Sequence, residues 1–259
     1  MGDKLVQVNE KYNGSAAELI VGPAPANILS EAAMDELSAH LDKIVSDPNK
    51  KIIILTGAGD HFSFGASVPE HTPDRCDSMI TKFNIFIGKM LACPVPILAR
   101  VKGNCLGGAL EVVLACHFVF AEKKASFAFA EIKLAVFPPP GSILLPLVVG
   151  DKIACQMVMT GAAKSAEELK NYNFINELSD DADAMDKAID AFITKRIMPL
   201  SASSIRIANE AVRRDIITRY KEHIAYVEKL YLKKLMSTHD AVEGIVSFME
   251  KRPPKWTNN

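Results

Sequence analysis

The sequence predicts an α/β fold, in which a largely parallel sheet is followed by a layer of helices. Up to residue 130, short β-rich runs alternate with amphipathic helical patterns, an order typical of parallel strand pairing. Residues 51–56 contain Ile-Ile-Ile-Leu, a continuous apolar run typical of a strand covered on both faces. Beyond Gly150 only helical patterns are found, which predicts a helical layer.

The individual elements follow from periodicity and capping residues. Strands are predicted at residues 5–8, 18–21, 51–56, 97–101, 118–121 and 126–130. The first helix begins after the N-cap candidate Ser30 and ends near Asp47, and Ser165 and Glu168 form a capping box that opens another helix. Further helices are predicted at residues 75–91, 108–116, 152–160, 183–196, 201–213, 215–236 and 241–250.

Composition excludes several classes of function. The 259 residues carry 30 Lys and Arg against 31 Asp and Glu, so no basic excess indicates a nucleic-acid partner. The longest apolar region, 105–121, is interrupted by Glu111 and His117, so no membrane span is predicted. The N-terminus lacks an apolar signal segment, and a cytoplasmic protein is expected. Five cysteines without a C-x-x-C pair and six histidines without an H-x-x-x-H pair predict free thiols and no metal site.

Two segments carry residues suited to chemistry. Residues 61–68 follow a buried strand and contain small residues, where backbone can approach a ligand closely. In residues 103–111, Gly107 and Gly108 open an apolar helix whose first-turn N–H groups lack internal acceptors and can stabilise an oxyanion. Glu111 lies one turn further on. The alternative is a helix-capping glycine pair with a glutamate near the positive end of the helix dipole.

A second glutamate, Glu131, lies in the apolar segment 126–134, where an unpaired carboxylate is costly. Two buried glutamates near oxyanion donors make an acid/base pair that can steer one water molecule. Burial and mutual repulsion would raise at least one pKa, so that one carboxyl holds a proton near neutral pH. The alternative for Glu131 is an ion pair with a neighbouring lysine such as Lys133.

Together these segments resemble the crotonase, or enoyl-CoA hydratase, superfamily over residues 8–256. The resemblance implies a crotonase-like ββα spiral core at residues 1–195 and a C-terminal helical trimerisation layer at residues 196–259. It places the oxyanion hole at Ala66 and Gly108, and the two glutamates of the hydratases at Glu111 and Glu131. It further implies a homotrimer or a hexamer built as a dimer of trimers. The substrate would be an acyl-CoA thioester, with coenzyme A as part of the substrate and no separate cofactor.

The resemblance also suggests roles for individual residues. Glu111 would orient and deprotonate water while Glu131 exchanges a proton with carbon, although shared or reversed roles remain open. The predicted substrate and coenzyme A contacts are Phe64, Ser67, Val68, Pro139, Phe248 and Lys251. For Phe248, a place in the hydrophobic core is an equal alternative.

Two departures from the family pattern bear on the substrate. Ser67 replaces the usual aspartate, and Pro138-Pro139-Pro140-Gly141 replaces a glycine-rich turn. Pro139 has no N–H to offer to the active-site water, so water must be held differently, and a substrate other than a straight-chain enoyl group is expected. Residues 62–71 resemble a subgroup acting on cyclohexa-1,5-diene-1-carbonyl-CoA in anaerobic benzoyl-CoA breakdown. There, addition at the far end of the diene gives 6-hydroxycyclohex-1-ene-1-carbonyl-CoA.

Other functions are also compatible with the sequence. Within the superfamily, they are a straight-chain enoyl-CoA hydratase, a double-bond isomerase and a ring-opening hydrolase. Outside enzymes, the chain could be an assembly or RNA-binding protein that keeps only the fold. The near-neutral charge and the presence of both glutamates argue against this last alternative.

Overall fold

The computed structural model of the protein describes residues 4–259. The strands are β1 (Val6–Lys11), β2 (Ala16–Val21), β3 (Ile52–Gly57), β4 (Ile97–Val101), β5 (Asn104–Leu106), β6 (Phe118–Glu122), β7 (Ser126–Ala128), β8 (Lys164–Ser165) and β9 (Glu177–Ser179). The α-helices are α1 (Glu31–Ser46), α2 (Cys76–Leu91), α3 (Gly108–Ala115), α4 (Pro139–Val149), α5 (Asp151–Thr160), α6 (Ala166–Asn171), α7 (Ala182–Phe192), α8 (Ala202–Lys229) and α9 (His239–Met249). Short 3-10 helices span Val68–His71 and Ala130–Leu134, and π-helical turns span Ile193–Ile197 and Leu230–Leu235.

Two sheets organise the chain. The larger has six strands in the order β1-β2-β3-β4-β6-β9, and the smaller has the order β5-β7-β8. Pairing from β2 to β9 is parallel throughout, whereas β1 pairs with β2 in the antiparallel sense. The predicted α/β class with a largely parallel sheet is therefore confirmed.

Strand β3 is buried along its whole length because the sheet is covered on both faces. Ile53 and Leu55 face the main core, which the first three helices help to build. Ile52 and Ile54 point the opposite way, into a smaller cluster with Met185 of α7. This alternation follows from the period of two along a strand.

The structure differs from the predicted elements at several places. Strand β5 lies at Asn104–Leu106, where a loop was predicted. The helices predicted at 201–213 and 215–236 are one helix, α8, which runs through the charged residues between them. Two short strands, β8 and β9, lie in the region predicted to be entirely helical. Helix α4 was not predicted, because its three prolines suggest a turn, yet Pro139 and Pro140 occupy helix-start positions where proline is tolerated. The predicted capping box at Ser165 and Glu168 is confirmed.

Candidate active site

The backbone of Ala66 lies directly beside the start of α3. Gly65 makes this approach possible: its φ is +98°, and a Cβ atom there would be 2.6 Å from the carbonyl oxygen of Leu106. Glycine is the residue type that adopts a positive φ without strain and leaves room for so close a contact with the Leu106 carbonyl. A Cβ on Gly108 would lie 3.3 Å from the Cβ of Ala66, so the two predicted oxyanion residues are neighbours.

The N–H groups of Ala66 and Gly108 are both available to a ligand. Neither has an acceptor within residues 4–259. Gly108 is the first residue of α3, and the first N–H groups of a helix have no acceptor within that helix. Both residues line the same cavity, so the pair is suited to bind one oxygen atom that carries developing negative charge.

Glu111 is buried on α3, and its Oε1 atom accepts a hydrogen bond of 2.8 Å from the backbone N–H of Gly141. Gly141 belongs to the first turn of α4, where Pro139 and Pro140 have no N–H. The first N–H that this helix can offer is therefore directed at Glu111. This role of Gly141 was not predicted, because the run of three prolines at residues 138–140 was interpreted as a rigid turn and not as the start of a helix.

Glu131 lies on the 3-10 helix Ala130–Leu134 and points toward the start of α3. A Cβ on Gly107 would be 2.8 Å from Glu131 Oε1, so glycine is needed there for the carboxyl group to approach. The Oε2 atom is buried and has no hydrogen-bond partner in the part of the chain that the structure describes. Glu131 forms no ion pair with Lys133 or another residue of 4–259, so the alternative considered from the sequence does not apply.

Burial raises the pKa of both carboxyl groups. The pKa of Glu111 is raised further by the negative charge of Glu131, and the N–H of Gly141 opposes this only in part. Two carboxylates so close together cannot both be ionised at low cost, so the pair retains a proton near neutral pH. Such a pair supplies one base and one acid at the same time.

A cavity of about 370 Å³ opens beside the two N–H groups. Phe64, Val68 and Phe248, which are predicted substrate or coenzyme A contacts, line it, and Ile245 of α9 also lies in its wall. Behind it lies a chamber of about 20 Å³ that is lined by both glutamates and Pro139. The structure thus brings eight of the ten predicted site residues to one connected space.

Ser67 and Lys251 line neither cavity. Ser67 follows the oxyanion residue, and its carbonyl oxygen accepts a hydrogen bond from His71. Lys251 is exposed beyond the end of α9. Contact of these two residues with substrate stays a prediction. Lys133 and His71, which the sequence analysis did not select, do line the main cavity.

Within residues 4–259, no three His, Cys, Asp or Glu side chains are grouped so that they could hold a metal ion. In the same range, no helix is both long and apolar enough to cross a bilayer.

Gly244 allows α9 to close the cavity, because a Cβ at this position would overlap the carbonyl oxygen of Leu134. Gly244→Ala should lower the free energy of unfolding by about 1–3 kcal/mol, although alanine normally stabilises a helix. Gly88→Ala is the matched control, since its Cβ would stand 3.4 Å from the Tyr220 ring, an ordinary contact. Urea denaturation of both variants checks this, and a G244A protein as stable as G88A would contradict the proposed packing.

The fold and the paired glutamates beside two free N–H groups define a crotonase-type enzyme. The family model "Enoyl-CoA hydratase/isomerase" matches residues 12–259, and the chain belongs to this family. It is 39% identical to cyclohexa-1,5-dienecarbonyl-CoA hydratase of Thauera aromatica, with 95% of this chain and 94% of that protein covered. It is 31% identical to a probable enoyl-CoA hydratase of Mycobacterium bovis, with 91% of each chain covered.

Solved structures share the fold. An enoyl-CoA hydratase from Mycobacterium avium subsp. paratuberculosis K-10 has a TM-score of 0.85 at 23% identity, with 98% of this chain and 99% of that chain covered. An enoyl-CoA hydratase from Bacillus anthracis has a TM-score of 0.77 at 28% identity, covering 99% and 100%. The predicted family and fold are confirmed, and the protein is an enzyme of the hydratase type.

Proposed function

We propose that the protein adds water to cyclohexa-1,5-diene-1-carbonyl-CoA and forms 6-hydroxycyclohex-1-ene-1-carbonyl-CoA. The observation that carries this proposal is the pair Glu111 and Glu131, which meets at a small chamber beside the N–H groups of Ala66 and Gly108. Within this proposal, the reaction belongs to the anaerobic breakdown of benzoyl-CoA.

The two N–H groups would hold the thioester carbonyl oxygen of the substrate. As water attacks the ring carbon β to this carbonyl, negative charge moves onto the oxygen. Fixed N–H dipoles in a largely apolar cavity stabilise that charge without reorganising, and their effect is largest in the transition state. Hydrogen bonding to the carbonyl oxygen thereby makes the β carbon of the acyl group more electrophilic.

The two glutamates would handle the protons. Ionised Glu111 takes a proton from water as the water oxygen bonds to the β carbon, and the electron pair of the attacked double bond moves into a dienolate. Protonated Glu131 then gives its proton to the ring carbon at the other end of the diene. The remaining double bond shifts beside the α carbon, which is the bond position of the 6-hydroxycyclohex-1-ene product. Proton exchange between the glutamates and solvent restores the starting state.

Two observations favour a ring over a straight chain. Pro139 lines the chamber and makes its wall rigid, because its ring fixes φ and it has no N–H. The relative from Thauera aromatica, at 39% identity, is named for the cyclic diene. The cavity walls are largely apolar and include Phe64, Val68, Ile245 and Phe248, which suits a hydrocarbon acyl group of either kind.

We further propose that the enzyme works in the cytoplasm as a homotrimer or a hexamer, with residues 1–195 as the core and 196–259 as the oligomerisation region. Helix α8 supports this part of the proposal. It exposes Ile207, Val212 and Tyr226, whose accessible fractions are 68%, 79% and 69%. These apolar side chains would be removed from water if α8 packed against a neighbouring subunit.

A side-by-side assay tests the substrate. Purified enzyme is given cyclohexa-1,5-diene-1-carbonyl-CoA and crotonyl-CoA, and products are followed by mass and by loss of conjugated absorbance. We expect the addition of one water to the cyclic diene, with kcat/KM at least about tenfold above that for crotonyl-CoA. A preference for crotonyl-CoA would instead make this a straight-chain hydratase. Turnover without a change of mass would indicate an isomerase.

A further inference from the structure

His71 lies where the main cavity meets the small chamber. Four residues line both spaces: the oxyanion residues Ala66 and Gly108, the acid/base residue Glu131, and His71. Three of these four already have a role in the proposed reaction. His71 is the last residue of the 3-10 helix Val68–His71, which follows Ala66 in the chain after one intervening residue.

The hydrogen bonding of His71 defines what its ring can do. Nδ1 lies 2.9 Å from the carbonyl oxygen of Ser67. A carbonyl only accepts, so Nδ1 must carry the hydrogen and Nε2 of the neutral ring must be an acceptor. Burial lowers the pKa of His71, which keeps the ring neutral. Within residues 4–259, Nε2 has no hydrogen-bond partner, so it is the ring nitrogen that is free to bind a water molecule in the cavities that His71 lines.

The chamber has room for one water molecule. Its volume is about 20 Å³, and a water needs about 10–15 Å³ together with two to four polar partners. Glu111 has one oxygen atom engaged by Gly141 and one oxygen free for such a water. Pro139 also lines the chamber but has no N–H, so a second partner must come from elsewhere.

We propose that His71 is a third catalytic residue, whose Nε2 atom accepts a hydrogen bond from the water that adds to the acyl group. The water has two hydrogens: one goes to Glu111 as the oxygen attacks carbon, and the other points at His71 and stays on the oxygen. After addition that oxygen is the product hydroxyl, which still donates to Nε2. His71 therefore neither gains nor loses a proton, and it orients the oxygen lone pair toward the β carbon.

The inference rests on the proposed addition of water by this site, but not on the cyclic acyl group. Its test compares three variants with the wild type, on whichever of the two thioesters the wild type hydrates. H71L removes all hydrogen bonding. H71N keeps a donor within reach of the Ser67 carbonyl but falls short of the Nε2 position. H71Q can place an amide oxygen near that position. Circular dichroism verifies folding, and the Kd of saturated cyclohexane-1-carbonyl-CoA reports on the shape of the cavity.

We expect H71L and H71N to lower kcat by about 10–100-fold, while H71Q recovers a substantial part of the loss. KM and the Kd of the saturated thioester should change by no more than about twofold, because neither involves the reacting water. Wild-type kcat in H71L would overturn the proposal, as would full activity in H71N, which would reduce His71 to holding the loop. A Kd that weakens in step with kcat would also overturn it.

The outcome for the wild type separates this inference from the proposed function. If the wild type hydrates only crotonyl-CoA, the cyclic substrate is wrong, and the same variants on crotonyl-CoA decide the role of His71. If the wild type adds water to neither thioester, both proposals are wrong.

Discussion

Glu111→Gln and Glu131→Gln should each lower kcat by about 10²–10⁴, because each removes one half of an acid/base pair while keeping the size of the side chain. In the Glu111→Gln variant, the new amide would still offer an oxygen to the N–H of Gly141, which now binds the Glu111 carboxyl at 2.8 Å. Folding should therefore survive. Replacement at Glu131 leaves no ion pair broken, since the carboxyl has none in the described residues.

The pH dependence identifies the pair more sharply than the rate alone. Burial raises the pKa of both glutamates, so the pair shares a proton near neutrality. Activity should fall at low pH, where both are protonated and no base remains, and at high pH, where both are ionised and no acid remains. Each glutamine variant should lose one side of this bell-shaped profile. Near wild-type rates in both variants, with unchanged circular dichroism, would contradict the two-carboxylate mechanism.

Gly108→Pro should lower kcat by about 10²–10³, the usual effect of losing one oxyanion donor. Proline is tolerated at the first position of a helix, which Gly108 occupies in α3, so the helix can remain. The substitution deletes the N–H and places a CH₂ group where the thioester oxygen would bind. The neighbouring N–H of Ala66 would then act alone.

Gly108→Ala is the matched control, because it adds the same Cβ but keeps the N–H. That Cβ would lie 3.1 Å from the Phe83 ring in either variant, so any cost in packing is shared. The comparison of kcat between proline and alanine removes the cost of the added Cβ and leaves the combined effect of losing the N–H and of placing a CH₂ group at the oxygen position. Equal rates in the two variants would show that the Gly108 N–H does not bind the reacting oxygen.

The candidate oxyanion and acid/base residues could be predicted because each lies in a short segment whose composition is unusual. A glycine pair at a helix start and two glutamates in apolar segments are unusual enough to predict an oxyanion hole and an acid/base pair. His71 escaped notice, since a single histidine has many structural explanations and only the folded chain shows which cavity it lines. Gly141 escaped for a different reason: its N–H becomes significant only because two prolines precede it in the helix.

The fold was predictable where hydrophobic patterns are strong and long. Strand β3 begins with four consecutive apolar residues, Ile52–Leu55, and all six of its residues are buried. Helix α8 has only Asn209 and Tyr220 buried over its 28 residues, so its apolar stripe is too weak to show that the helix is continuous. Strands β8 and β9, with two and three residues, are shorter than any periodicity can reveal.

The small volume behind the cavity also determines which nucleophiles the enzyme can use. Conjugated thioesters react readily with thiols and amines, which are stronger nucleophiles than water. A chamber of about 20 Å³ has room for one water molecule and not for a thiol-bearing metabolite. Pro139 makes part of its wall rigid, so the chamber cannot easily widen to admit one. In the proposed reaction, this small volume beside the two glutamates would favour water over larger nucleophiles at the bound acyl group.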